Sequence, residues 1–321
     1  DVRTMVLQGD TLWIGSLNGL YTYQLKSRQL NHFDSKQTGL PHNTIYSIIH
    51  TKDNQIYIGT YNGLCRYVQA SGKFENILLP VNRGGSNLFV NSLLEDTTRQ
   101  CIWIGMEGYL FQYNPTIGEM KAIEVFHNNS IKSLALDGDE NLLAGTDNGL
   151  YVYQNDKEPL QHIIHDSRNI QSLTNNIIWN IFSDQEHNIW LGTDYGISLS
   201  RYNSALQFVP ISQITGTGDG NQFYSLFRDS KGFYWFGGTN GVIRFTHPAG
   251  NKHDAIWYRM GDKNHPLSHN RIRHIYEDRE QQLWIATDGS INRYDYNTHQ
   301  FVHYNIVDST GTYNTNWAYY L

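Results

Sequence analysis

Short apolar runs punctuate the chain at regular intervals, each followed by a polar turn and then an aromatic-rich stretch. The first is Leu12-Trp13-Ile14-Gly15, which leads through Ser16-Leu17-Asn18-Gly19 into Leu20-Tyr21-Thr22-Tyr23. The phrase returns with its glycine, or finally an alanine, at positions 59, 105, 145, 192, 237 and 286, a period of 40 to 49 residues. Runs this short and this continuously apolar are the pattern of strands covered on both faces. Strand-like phrases at such a period indicate a propeller or solenoid array.

Each repeat parses into four strands, a to d, separated by turn signals. In the second repeat strand a is Ile45 to His50, b is Gln55 to Gly59, c is Gly63 to Val68 and d is Phe74 to Leu78. Lys52-Asp53-Asn54 forms the a–b turn and Tyr61-Asn62-Gly63 the b–c turn. The pairs Asn18-Gly19, Asn62-Gly63, Asn148-Gly149 and Asn240-Gly241 predict tight hairpins, which need positive φ. The pattern therefore predicts an all-β fold, a seven-bladed β-propeller of four-stranded antiparallel blades. The blades fall at about 1–34, 43–79, 87–123, 129–164, 176–209, 221–259 and 270–304, so residues 1–304 form the propeller. Residues 305–321, with Trp317, repeat strand a once more, either closing the ring or leading into a further module.

Composition narrows the function. Only 17% of residues are charged and the net charge is −6, which gives no basic footprint for nucleic acid. No stretch approaches the roughly 20 apolar residues of a membrane helix, and no basic-then-apolar leader is present. The chain begins abruptly in strand-like sequence and reads as a soluble piece of a longer protein. Cys65 and Cys101 fall at opposite ends of their strands, a placement that argues against a disulfide.

Repeats act as their own control, because what recurs in every blade builds the scaffold. Trp13, Trp103, Trp190, Trp235 and Trp284 all stand two before the anchor position, in line with Tyr57 and Leu143, and are expected in the core between blades. Trp257, in an outer strand, reads as packing. Strand a instead holds one position that does not repeat: Arg3, Tyr46, Asn91, Lys132, Trp179, Tyr224 and Arg273. It shares a rim with the b–c turns, which supply Tyr61, Glu107, Asp147, Asp194, Tyr195 and Asp288. Aromatic platforms beside forked donors and carboxylates suit a sugar, with its apolar C–H faces and hydroxyl edges. The plainer alternative is that these side chains fill and solvate a channel mouth.

Other polar clusters read as structure. Asn43, Asn129, Asn176, Asn221 and Asn270 each stand sixteen before their anchor and are expected to cap the turn before strand a. Asp137-Gly138-Asp139-Glu140-Asn141 has the alternating oxygens of a calcium loop but lacks the glycine and terminal glutamate of an EF-hand, so a plain turn is expected. His265, His269 and His274 lie near the start of the seventh blade, and His299 and His303 are placed on one strand face, too far apart for one ion. No cofactor, metal site or catalytic residue is assigned.

The phrase Gly39-Leu40-Pro41-His42-Asn43-Thr44-Ile45, running on to Ile56-Tyr57-Ile58-Gly59-Thr60-Tyr61-Asn62-Gly63, resembles the two-component regulator propeller repeat. So does Ser172-Leu173-Thr174-Asn175-Asn176-Ile177-Ile178-Trp179, leading to Ile189-Trp190-Leu191-Gly192. The first and fourth blades depart furthest from the repeat. The resemblance implies the periplasmic sensor of a Bacteroidetes-type hybrid two-component histidine kinase, with an oligosaccharide from a complex glycan as its ligand. It implies a possible homodimer through the full receptor, and membrane attachment only through a segment outside this chain. An enzyme is the alternative, since streptogramin lyases use a similar Trp-Phe-x-Gly-type phrase with a catalytic His and a divalent ion. A protein-docking propeller without a small ligand is a third reading.

Overall fold

The computed structural model describes residues 2–81, 88–123, 129–154, 157–202, 209–210, 222–246, 254–264 and 266–304. The expectations for Asn221, His265, Trp317 and the 305–321 extension concern residues outside that set. The described residues form seven four-stranded antiparallel sheets, each running a-b-c-d in chain order. The fold is an all-β seven-bladed β-propeller. The chain divides into two compact units, residues 1–134 and 135–321, with the boundary inside strand a of the fourth blade.

The apolar runs become strands b, and several are buried along their whole length, as in Ile56–Thr60, Ile189–Thr193 and Tyr234–Gly238. Their side chains meet strand a of the following blade. Trp13 clusters with Ile45 and Ile48, Tyr57 with Val90 and Leu93, and Leu143 with Ile178 and Ile181. Trp190 clusters with Phe223 and Phe236, and Trp235 with Ile272 and Ile275. Each such side chain contributes roughly 2–3 kcal/mol by leaving water. Trp284 differs, being half-buried against Tyr304.

An indole in a core must still place its N–H, and the a–b turn supplies the acceptor. Trp103 donates to Asp96, Trp190 to Asp184, Trp235 to Asp229 and Trp284 to Asp278, at 2.7 to 3.0 Å. The same carboxylates close their own turns: Asp184 Oδ1 accepts from the backbone of Glu186 and Asn188, and Asp137 does the same for Asp139 and Asn141 in the fourth blade. The anchor glycines recur because blades approach closely there. A Cβ on Gly237 would lie 2.4 Å from Ile272 Cγ2.

Three details differ from the sequence pattern. The positive φ of the b–c hairpins lies on the glycine alone (Gly63, +113°), which pairs with Thr60, so the two-residue loop is Tyr61-Asn62. Among the described residues the asparagines of these turns are not in that region. A one-turn helix, Ser35–Thr38, follows the first blade, capped by Asp34 Oδ1 on Lys36 N at 2.7 Å. His299 does not share a strand face with His303: it lies in the turn before Gln300–Tyr304, at φ +57°. Cys65 and Cys101 are buried and form no disulfide with each other.

Candidate functional site

The non-repeating position of strand a has a structural identity. In the fifth blade Ile178 pairs with Thr193 and Asn180 with Gly192, so Trp179 has no partner in the ladder. The same slip leaves out Arg3, Tyr46, Asn91, Tyr224 and Arg273 in their blades. Each is the extra residue of a β-bulge, a device that bends the strand and re-aims a side chain. A residue outside the ladder is released from the cross-strand pairing that constrains its neighbours, which accounts for its freedom to vary.

The first residue of the b–c turn is brought beside it. The backbone N–H of Asp194 bonds Ile177 O at 3.0 Å, that of Asp288 bonds Arg271 O at 3.2 Å, and that of Tyr61 bonds Thr44 O at 2.9 Å. These bonds fold a turn residue fifteen positions downstream back onto the bulge. The asparagines sixteen before the anchors hold the other side of the same region. The side-chain oxygens of Asn43, Asn176 and Asn270 accept from the backbones of Ser35, His165 and Met260, and their carbonyls accept from Gly19, Gly149 and Gly241 of the preceding turn.

In the second unit this brings Trp179, Tyr224 and Asp194 into one network. Trp179 Nε1 donates to Asp194 Oδ1 at 3.0 Å, and Gln222 Nε2 donates to the same oxygen at 2.6 Å. Tyr224 donates its hydroxyl to Gln222 Oε1 at 2.5 Å, and its ring meets Trp179 edge-to-face at 5.7 Å. Tyr195, next along the turn, is 55% exposed. Arg273 is engaged differently: its Nε and Nη2 fork onto Asp288 at 2.6 and 3.0 Å, with Arg271 at 4.0 Å from that carboxylate.

The first unit carries an aromatic cluster at equivalent positions. Arg3 lies over Tyr46 at 5.7 Å, Tyr46 stacks with Tyr61 at 6.5 Å, and Phe89 meets both rings edge-on. Burial raises the Tyr46 phenol above its ordinary range, opposed by the charge of Arg3. Asn91 is occupied structurally, bonding Ser130 Oγ and Ile131 O of the next blade. Lys132 is half-buried in strand a of the fourth blade.

Gln222 and Phe89 are absent from the sequence-based set. Both stand two residues before a bulge, at a position that reads Thr44, Phe89, Ser130, Ile177, Gln222 and Arg271. The same test of non-repetition, moved two residues upstream, finds them. His269 Nδ1 accepts from Arg271 N at 3.0 Å, as His42 does from Thr44 and Asn175 from Ile177, so its imidazole forms a turn. Beside Arg273, burial pushes the His274 imidazole down to about 4.

The two-component regulator propeller model matches residues 39–62, 172–195, 217–240 and 266–289. Each match ends on the turn beside a bulge. The chain is 82% identical to the extracellular domain of the putative one component system BT4673 from B. thetaiotaomicron, with a TM-score of 0.61. A second structure, of the extracellular domain of the putative hybrid two component system BT4673 from B. thetaiotaomicron, is 83% identical with a TM-score of 0.62. The alignments cover 100% and 99% of this chain but 43% of each of those chains. A streptogramin B lyase shares the fold alone, at 13% identity and a TM-score of 0.63 over 91% of this chain and 92% of that one. Among curated proteins none matches.

Proposed function

The chain belongs to the two-component regulator propeller family, and on that premise we propose that it is the ligand-sensing propeller of an extracytoplasmic receptor, recognising an oligosaccharide. The relatives at 82 and 83% identity are described as an extracellular domain, which supports placement outside the cytoplasm, in the periplasm. The lyase likeness is one of fold, whereas the sensor likeness extends to sequence. The observation that carries the carbohydrate reading is the network of Trp179, Tyr224, Asp194 and Gln222. It presents an aromatic face beside a carboxylate and an oriented amide, complementary to the C–H face and hydroxyl edge of a sugar.

Signalling then requires a ligand with different affinity for two arrangements of the receptor. In this proposal those are two placements of subunits in a homodimer, relayed to a kinase through a membrane segment outside this chain. The test is calorimetric titration of an oligosaccharide found by thermal-shift screening, since binding to the folded state raises its melting temperature. Trp179→Ala is expected to lower affinity at least about tenfold with the fold intact. Unchanged affinity overturns the assignment.

A further inference from the structure

Resting on that carbohydrate reading, we infer that the Trp179 surface takes a neutral oligosaccharide and rejects one bearing uronate or sulfate groups. The charge arrangement carries this. Asp194 Oδ1 receives both the indole N–H of Trp179 and the amide of Gln222, two neutral donors. Among the described residues no Lys, Arg or His lies within ion-pairing distance of Asp194, and its Oδ2 meets no donor. A carboxylate is acceptor-only, so the atom it offers a ligand calls for a hydroxyl donor.

The cation at the equivalent position of the seventh blade is already committed. Arg273 spends Nε and Nη2 on Asp288, and that pair is largely enclosed, with side chains 16% and 10% exposed. Recognition of an anionic sugar relies on a forked donor facing the ligand. In the Trp179 network the charge is instead the Asp194 carboxylate, which pairs with no cation among the described residues. The Tyr224 hydroxyl, directed at Gln222 Oε1, turns that amide's N–H toward Asp194 and holds the carboxylate in its acceptor role. A sugar hydroxyl completes this set. A uronate brings a second carboxylate to it and is repelled.

The experiment uses matched pairs: gluco-, galacto- and manno-tetraoses, each beside its C6-oxidised counterpart, titrated calorimetrically into the chain and into Asp194→Asn. Asparagine keeps an oxygen for the Trp179 N–H while removing the charge. The wild-type chain is expected to favour the neutral member of a bound pair by about tenfold or more, and Asp194→Asn to bring the ratio to within about threefold. Raising the salt concentration should narrow the wild-type ratio in the same direction. Equal or tighter binding of the oxidised sugar by the wild type overturns the inference, as does an unchanged ratio in Asp194→Asn. If an oxidised sugar binds tightly and Trp179→Ala abolishes that binding, the carbohydrate site survives and only its neutral character falls. If no tetraose binds, both readings fall.

Discussion

The fifth blade contains two tryptophans that make the same hydrogen bond in opposite surroundings. At the a–b end Trp190 gives its indole N–H to Asp184 at 2.8 Å; at the other end Trp179 gives its own to Asp194 at 3.0 Å. Trp190 is 0% exposed, set in strand b against Phe223 and Phe236 of the next blade. Trp179 is half-buried on a bulge with no ladder partner. Asp184 also binds two backbone N–H groups of its own turn and the Tyr234 hydroxyl, whereas Asp194 receives only Trp179 and Gln222 on its side chain among the described residues. Chemistry at the residue level does not separate the scaffold from the proposed site. Saturation of the surrounding contacts does.

The largest expected effect breaks the comparison on the scaffold side. Trp190→Ala opens a cavity between two blades and removes one donor from the buried Asp184 carboxylate, so a loss of about 3–5 kcal/mol is expected in denaturant melts. A loss below about 1 kcal/mol would remove the scaffold role of the recurring tryptophans.

The next effect is a pH dependence at the bulge end of the seventh blade. His274 sits where other blades place Ser47, Ser92, Ser133 and Ser225. Its folded value of about 4 lies below the ordinary 6.5, so the unfolded chain takes up a proton first as pH falls. Stability is complete above about 6.5 and declines between about 6.5 and 4, by on the order of 3 kcal/mol. His274→Asn is expected to flatten that limb in melts taken across the window. An unchanged slope would show that other groups carry it.

Arg273→Ala comes third, at about 2 kcal/mol, because it leaves Asp288 enclosed without its fork. A near-neutral result would instead free this guanidinium for a ligand. Trp179→Ala is the smallest in stability, within about 1 kcal/mol, since a half-exposed side chain outside the ladder leaves little cavity. A larger loss than that would move Trp179 to the scaffold.

Much of this was legible in the chain. The recurring Trp and Gly positions named the inter-blade core, and the four-strand parse of each repeat named the fold. The one position of strand a that varies drew attention to Trp179, Tyr224 and Arg273. Its physical cause was not legible: a bulge is a mismatch between two strands, and a single strand's sequence does not display its partner's register. Gln222 escaped because it precedes strand a and enters the network only through Asp194. The pairing of Arg273 with Asp288, fifteen residues away, is not legible in the chain, because it depends on the turn that folds back upon the bulge.

What the sequence determined by itself is therefore what repeats. Apolar period, anchor glycines and Asn-Gly turns are local constraints that recur from blade to blade, and repetition makes them readable. Only the tertiary structure decided which polar side chains neutralise one another and which remain directed outward. That outcome depends on distances between residues far apart in the chain, and on the one residue in strand a that the β-ladder leaves unpaired.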